Sequence, residues 1–319
     1  MAITIASKFY ISRNENKECN EHKKLALRSS FSLRLCVKYF LSLSFQINSF
    51  MTVFLRLFLV LAAIVFVFAF ASRQVAAAHA WKLVWSDEFD YEGLPDAAKW
   101  NYDVGGDGWG NNELEYYTKE RKQNARVEKG NLIIEARKED LENKKYTSAR
   151  LVTKGKADWK YGKIEVRAKL PKGLGTWPAI WMLGSATPLK WPDDGEIDIM
   201  EHVGYDPGVI HASIHCKKYN HVIHTQKTAV TSVPDFSDAF HVYTLEWDAE
   251  SISIFVDDKK YFTFVNEHSS YDAWPFDQPM HLLLNIAVGG NWGGQKGVDD
   301  TIFPQQMLVD YVRVYQKSM

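Results

Sequence analysis

Between residues 81 and 319 apolar residues recur at every second position, segment after segment, and almost nowhere at helical spacing. In KIEVRAKL (163–170), Ile164, Val166, Ala168 and Leu170 alternate with Lys163, Glu165, Arg167 and Lys169. Successive side chains of a strand point to opposite faces, so this pattern predicts a strand with one buried face. Ile252, Ile254 and Val256 repeat it, and Asp257-Asp258-Lys259-Lys260 then turns the chain into a second strand, YFTFV. LVWSDEF (83–89), NLIIEA (131–136), VIHASIH (209–215), HVYTLEW (241–247), HLLLNIAV (281–288) and VDYVRVYQ (309–316) are further strand segments. No linker, repeat or charge block interrupts the region, so 81–319 is one expected domain. Many strands joined by Gly- and Asp-rich turns predict an all-β, antiparallel two-sheet sandwich.

The first eighty residues are a different polypeptide. They hold ten of the 38 Lys and Arg but only three of the 39 Asp and Glu, and none of the eleven Trp. Residues 57–71, LFLVLAAIVFVFAFA, are an unbroken apolar run preceded by Arg56. A membrane-spanning helix needs about 20 such residues, so the run fits the core of a secretory signal. Ala78-His79-Ala80 supplies a small-x-small cleavage site, and Met51 opens the segment. Residues 51–80 therefore form an expected signal peptide. Residues 1–50 are an expected disordered or non-native extension, a cytoplasmic tail on an uncleaved signal anchor being the alternative. Either way the domain is expected to be delivered across a membrane, and cleavage after Ala80 would make it secreted. Beyond residue 80 Cys216 stands alone, so no disulfide forms within the domain. A core of this size needs none.

The overall composition, 46% apolar and 24% charged, excludes disordered and low-complexity classes. A formal charge of −1 for the chain argues against nucleic-acid binding through bulk positive charge. Residues 81–319 carry 28 Lys and Arg against 36 Asp and Glu, a net charge of −8.

The chemistry concentrates in Asp193-Asp194-Gly195-Glu196-Ile197-Asp198-Ile199-Met200-Glu201-His202. In a regular strand residues 196, 198 and 200 share a face, which leaves Met200 where an acid is wanted. One extra residue, a β-bulge, would return Glu201 to the face of Glu196 and Asp198. Three acids on one face repel one another, so function or a cation must account for them. Solvated acids on an edge strand and a calcium site are the competing readings, though calcium prefers ligands from a flexible loop. Paired carboxyls suit glycoside hydrolysis, with one as nucleophile and one as acid/base.

Flat aromatic side chains bind the apolar faces of sugar rings. Trp177 and Trp181, four apart on a strand, share a face and are cleft candidates, with Trp191 nearby. Trp292 sits among glycines 289, 290, 293, 294 and 297, where a loop can approach a ligand closely. Trp85, Trp100 and Trp247 are expected in the core. His211, His215, His221 and His224 raise a transition-metal site, but no Cys-x-x-Cys or helical H-x-x-x-H accompanies them. His215 is instead expected in the cleft near the acids.

GEIDIMEHVG resembles the active-site signature of glycoside hydrolase family 16 in its bulged E-x-D-x-x-E form. The resemblance extends through GWGNNELEYYT (108–118), TSARL (147–151), GTWPAIWML (175–183), IHASIHCKKYNH (210–221), WPFDQP (274–279), NIAVGGNWGG (285–294) and VDYVRVYQ (309–316). Together these are similar to laminarinase-like endo-β-1,3-glucanases, and they imply a jelly-roll sandwich with a concave substrate cleft. By resemblance Glu196 is the nucleophile, Glu201 the general acid/base, and Asp198 the residue that holds Glu196 and tunes the pair. Asn111, Glu113 and Arg150 would bind sugar hydroxyls. No cofactor is implied for catalysis. A structural calcium is implied at Glu88, Gly130 (through its carbonyl) and Asp310. The implied partner is a β-1,3-glucan polysaccharide, hydrolysed with retention by a monomer free of the membrane. A non-catalytic glucan-recognition protein and an agarase-like, galactan-active hydrolase are the alternatives. The pattern departs from the family at Cys216, where Thr is frequent, and at His224, where Gly is frequent.

Overall fold

Alternating segments rich in Ile, Val and aromatic residues leave their outward positions to Lys, Arg and Glu, and each becomes a strand. The computed structural model describes residues 81–317, so the expected extension (1–50) and signal peptide (51–80) lie outside the described residues. In chain order the strands begin with β1 (Trp81–Asp87), β2 (Asn101–Asp103), β3 (Glu115–Tyr117), β4 (Ala125–Glu128), β5 (Asn131–Leu141) and β6 (Lys144–Ser148). Next come β7 (Arg150–Val152), β8 (Gly162–Lys169), β9 (Thr176–Gly184), β10 (Glu196–Glu201), β11 (Val209–His215) and β12 (Lys227–Ser232). The last are β13 (His241–Trp247), β14 (Ser251–Val256), β15 (Lys259–Val265), β16 (Met280–Val288) and β17 (Gln305–Lys317).

They form two sheets. One is ordered β15-β14-β13-β8-β17-β5-β6-β3, with β1 on β17 and β4 on β5; the other is ordered β12-β11-β10-β9-β16-β7-β2. Neighbours in space are often far apart in the chain, as in β8 between β13 and β17, which makes this a jelly-roll sandwich. Ile164, Val166, Tyr243, Leu245, Val312 and Val314 of the first sheet meet Ile180, Met182, Ile197, Leu282, Leu284 and Ile286 of the second in one core. Trp100 and Trp247 are buried in it, and Trp85 packs edge-on against Trp100 and Trp159, with ring centroids 5.8 and 5.4 Å apart. Leu284 is fully buried in the central strand β16. Its truncation, Leu284→Ala, is expected to lower stability by about 2–5 kcal/mol. The check is the denaturant midpoint, which should fall at unchanged slope.

One local expectation is corrected. The hairpin after Val256 turns on Asp257 and Asp258 alone, whose φ values of 48° and 64° are the left-handed pair that matches strand twist. Lys259 and Lys260 already belong to β15. The expected calcium ligands are employed otherwise. Glu88 is gripped by the forked guanidinium of Arg313 at 2.8–3.2 Å, and Asp310 by Arg167 at 2.6 Å. Gly130 occupies the turn between β4 and β5 with φ 75°. The two expected side chains are thus paired with guanidinium groups in this structure.

Candidate active site

The bulge is present in β10. On its β9 side Asp198 lies opposite Trp181 and Met200 opposite Ile180, so two steps along β10 match one along β9. Across β11, Glu196 faces His215, Asp198 faces Ser213 and Glu201 faces His211. Ile199 and Met200 both turn into the core, which is the apolar pull that fixes the extra residue. Glu201 returns to the outer face, and Glu196, Asp198 and Glu201 line one cleft of about 300 Å³.

Each acid has its own surroundings. The Trp191 Nε1–H donates to Glu196 Oε2 at 2.7 Å, and the Trp177 Nε1–H donates to Glu201 Oε1 at 3.0 Å. Asp198 is buried, with the His215 Nε2 lying 3.2 Å from its Oδ2 and 3.9 Å from Glu196 Oε1. Burial pushes the Asp198 carboxyl well above the usual carboxylate range, and the charge of Glu196 and a hydrogen bond to it act in the same direction. A carboxyl whose proton is held this tightly beside Glu196 is suited to hold that side chain in place by a shared proton. Burial also raises Glu201 well above the usual range, the neighbouring acids adding to it and His215 and Trp177 offsetting part. A carboxyl kept protonated at neutral pH is the form a general acid needs.

The sugar-facing walls come from separate strands. Trp177 and Trp181 project from β9 into the cleft as their spacing predicts. The guanidinium of Arg150 is clamped between the rings of Trp109 and Trp181, 4.6 and 4.7 Å from their centroids, with Asp103 at 3.0 Å. Asn111 and Glu113 line the same cleft, and the Trp181 Nε1–H donates to Asn285 Oδ1 at 2.7 Å. Trp109, Asn285 and His221 are lining residues that pattern reasoning missed, although each stands in or beside a segment already singled out.

His215 stands near the acids, opposite Glu196 on β11 with its Nε2 3.2 Å from Asp198 Oδ2, and Trp292 packs edge-on against Trp177 and His211, with centroids 5.5 and 4.9 Å away. The four histidines do not converge on a metal. His221 lies between His215 and Trp191, and His224 closes a 3₁₀ turn with φ 56°, a left-handed position that favours glycine. Ligand atoms of Glu196, Asp198 and His215 do fall within 4.8 Å of one another, His215 joining the acids through its Nε2 at 3.2 Å from Asp198 Oδ2. Cys216 is buried, its Sγ 3.6 Å from the Ala273 carbonyl oxygen, and stays out of the cleft.

Two carboxyls on one cleft wall, each held by an indole N–H and one of them with its proton affinity raised by burial, are the equipment of a glycoside hydrolase. Residues 112–313 match the glycosyl hydrolases family 16, and the chain belongs to that family. It is a hydrolase that needs no catalytic cofactor. A beta-glucanase of Rhodothermus marinus is 59% identical over 257 residues, 77% of this chain and 88% of the relative. The X-ray structure of the laminarinase from Rhodothermus marinus superposes with a TM-score of 0.73 at 59% identity, over 75% of this chain and 98% of that one. A mutant of SCLam, a non-specific endo-beta-1,3(4)-glucanase presenting a 1,3-beta-D-cellobiosyl-glucose at its active site, gives a TM-score of 0.72 at 53% identity, covering 74% and 95%.

Proposed function

We propose that the protein is a secreted endo-β-1,3-glucanase that cleaves internal glucosidic bonds by double displacement with retention. The observation that carries the reading is the bulge in β10, which turns Glu201 to the cleft face beside Glu196 and Asp198. Supporting it are the names of the laminarinase and beta-glucanase relatives and the oligosaccharide bound to SCLam. The apolar segment 57–71 and Ala78-His79-Ala80 support export.

In the first half-reaction the Glu196 carboxylate attacks the anomeric carbon while Glu201 gives its proton to the departing glycosidic oxygen. The C1–O bond breaks, a C1–O bond to Glu196 forms, and Glu201 is left as the anion. In the second half, that anion takes a proton from water as the water oxygen attacks C1 and releases Glu196. Two inversions give net retention. Asp198 returns its proton toward Glu196 as the carboxylate leaves, and Trp191 steadies the same group.

The test is reducing-end release from laminarin, lichenan and agarose in parallel, with Glu196→Gln as control. Short oligosaccharides from laminarin, absent in the variant, are expected. Binding of laminarin without cleavage would make the protein a recognition module, and cleavage of agarose alone would move it to the galactan-active hydrolases.

A further inference from the structure

Glu196 is held by a residue that the core does not hold. Trp191, whose Nε1–H donates to Glu196 Oε2 at 2.7 Å, stands on the loop between β9 and β10 and leaves 38% of its surface to solvent. A nucleophilic carboxylate must present one oxygen along the line of the bond being broken, and an N–H on the other oxygen fixes its rotation. The indole that supplies this N–H therefore needs support of its own. Two rings give it: His221, with centroids 5.1 Å apart and planes tilted by 40°, and His215, farther off at 6.2 Å. His221 also meets His215 edge-on at 5.2 Å, so the three rings form one cluster beside the nucleophile.

The loop between β11 and β12 is built to deliver His221 to that place. Asn220 is buried, and its Nδ2 donates to the carbonyls of Cys216 and Lys217 at 3.1 and 3.3 Å. Its Oδ1 accepts from the Ile223 N–H at 3.3 Å and caps the 3₁₀ turn His221–Ile223, while its backbone N–H donates to Thr225 Oγ1 at 3.2 Å. The Thr225 N–H donates back to the Asn220 carbonyl at 3.0 Å, and the His224 N–H to that of His221 at 3.2 Å. Burial plays no part in this order, because no residue of the turn is buried and Val222 and Ile223 are both exposed. What the turn delivers is one ring, and His221 and Trp191 line the cleft together.

We propose that His221 is a positioning residue of the reaction: its ring braces the indole of Trp191, and the braced N–H holds the Glu196 carboxylate at its angle of attack. An aromatic contact of this kind contributes modestly to stability, whereas a nucleophile out of place costs far more in rate. Truncating His221 removes a contact at the surface and leaves Ile197, Ile199 and Met200 packed in the core. The loss should therefore fall on turnover and not on folding.

The inference rests on the reading of Glu196 as the nucleophile of a β-1,3-glucanase, and one arm of its test does not. Kinetics on laminarin are compared at one pH in His221→Ala, Trp191→Phe and the double variant. Trp191→Phe keeps a ring but loses the N–H, and should lower kcat by about 10–100-fold, the worth of a hydrogen bond to a charged group. His221→Ala should lower kcat by about tenfold at unchanged KM, the pattern of an interaction that serves the transition state alone. The double variant should be no slower than Trp191→Phe, since His221 acts only through that N–H. His221→Phe, a flat ring without nitrogens, should regain most of the lost rate. Losses that multiply in the double variant, a raised KM at unchanged kcat, or no recovery in His221→Phe would overturn the proposal.

The second arm needs no substrate. In protein labelled with ¹⁵N-tryptophan, the indole N–H signal missing from Trp191→Phe belongs to Trp191. It should lie downfield in the wild type, as a 2.7 Å bond to a carboxylate requires, move upfield in His221→Ala and keep its place in His221→Phe. A signal that His221→Ala leaves unmoved defeats the proposal as well. If no form cleaves laminarin, the glucanase reading falls and the indole signal still decides the contact.

Discussion

Glu196→Gln should lower kcat on laminarin by a factor on the order of 10⁴–10⁶, as the loss of an enzyme nucleophile does, while glucan affinity and the unfolding midpoint stay close to wild type. Glutamine has the shape of glutamate, and its carbonyl oxygen can still accept the Trp191 Nε1–H that holds Glu196 at 2.7 Å. What it lacks is the negative charge that forms the covalent bond to C1. The fold should tolerate the change, because Glu196 sits at the edge of the cleft and the residues that anchor β10 are Ile197, Ile199 and Met200 in the core. Glu196→Ala separates the role from mere positioning. The emptied space admits azide, which attacks from the nucleophile's side with a single inversion and gives an α-glycosyl azide from an activated β-glycoside. A β-configured azide would assign Glu196 to the other carboxyl's role.

The sandwich was legible from the residue pattern because each buried face is written locally, every second residue. VIHASIH and HVYTLEW match β11 and β13 end to end, and KIEVRAKL misses β8 by one residue at each end. The bulge was legible for the same reason: Glu201 is one step out of phase with Glu196 and Asp198, and an acid among Ile199, Met200 and Val203 has nowhere to go but outward. Lateral order was not legible. Strand β16 lies between β9 and β7, so Asn285 reaches Trp181 across 104 positions of sequence that carry no trace of the contact.

The same limit applies to the supporting residues. Strand parity puts His215 on the face of the acids, but not its Nε2 within 3.2 Å of Asp198, which is a contact across strands. Trp292 is near the cleft as its glycine-rich surroundings suggest, but its ring is used to brace Trp177, which in turn orients Glu201. The expected calcium positions have guanidinium partners in this structure. Nothing in the local sequence reveals that Arg313 and Arg167 reach Glu88 and Asp310 first. The left-handed turn at His224, by contrast, explains why glycine suits that position, since its φ of 56° is one that side chains rarely adopt.

Glu201→Gln should depend on the leaving group in a way no other residue of the cleft shares. Expulsion of a sugar alkoxide needs a proton, so kcat/KM on laminarin should fall by about 10²–10⁴. An aryl β-glucoside with an acidic phenol leaves without that proton, so its first step should be nearly as fast as in the wild type. Its glycosyl-enzyme then accumulates, because the variant has no base to activate water, and a burst of phenol should precede a slow steady state. Azide should relieve that second step and give a β-glycosyl azide, the opposite anomer from the one expected with Glu196→Ala. The pH profile supplies the independent check. Burial holds the Glu201 proton above the usual carboxylate range, so the wild type should be active at neutral pH and lose kcat/KM as pH climbs through the raised value. In Glu201→Gln that alkaline limb should vanish, since the group whose deprotonation creates it is gone. An alkaline limb that persists unchanged would show that the proton reaching the glycosidic oxygen comes from elsewhere, with Asp198, whose carboxyl burial also raises, as the group to change next.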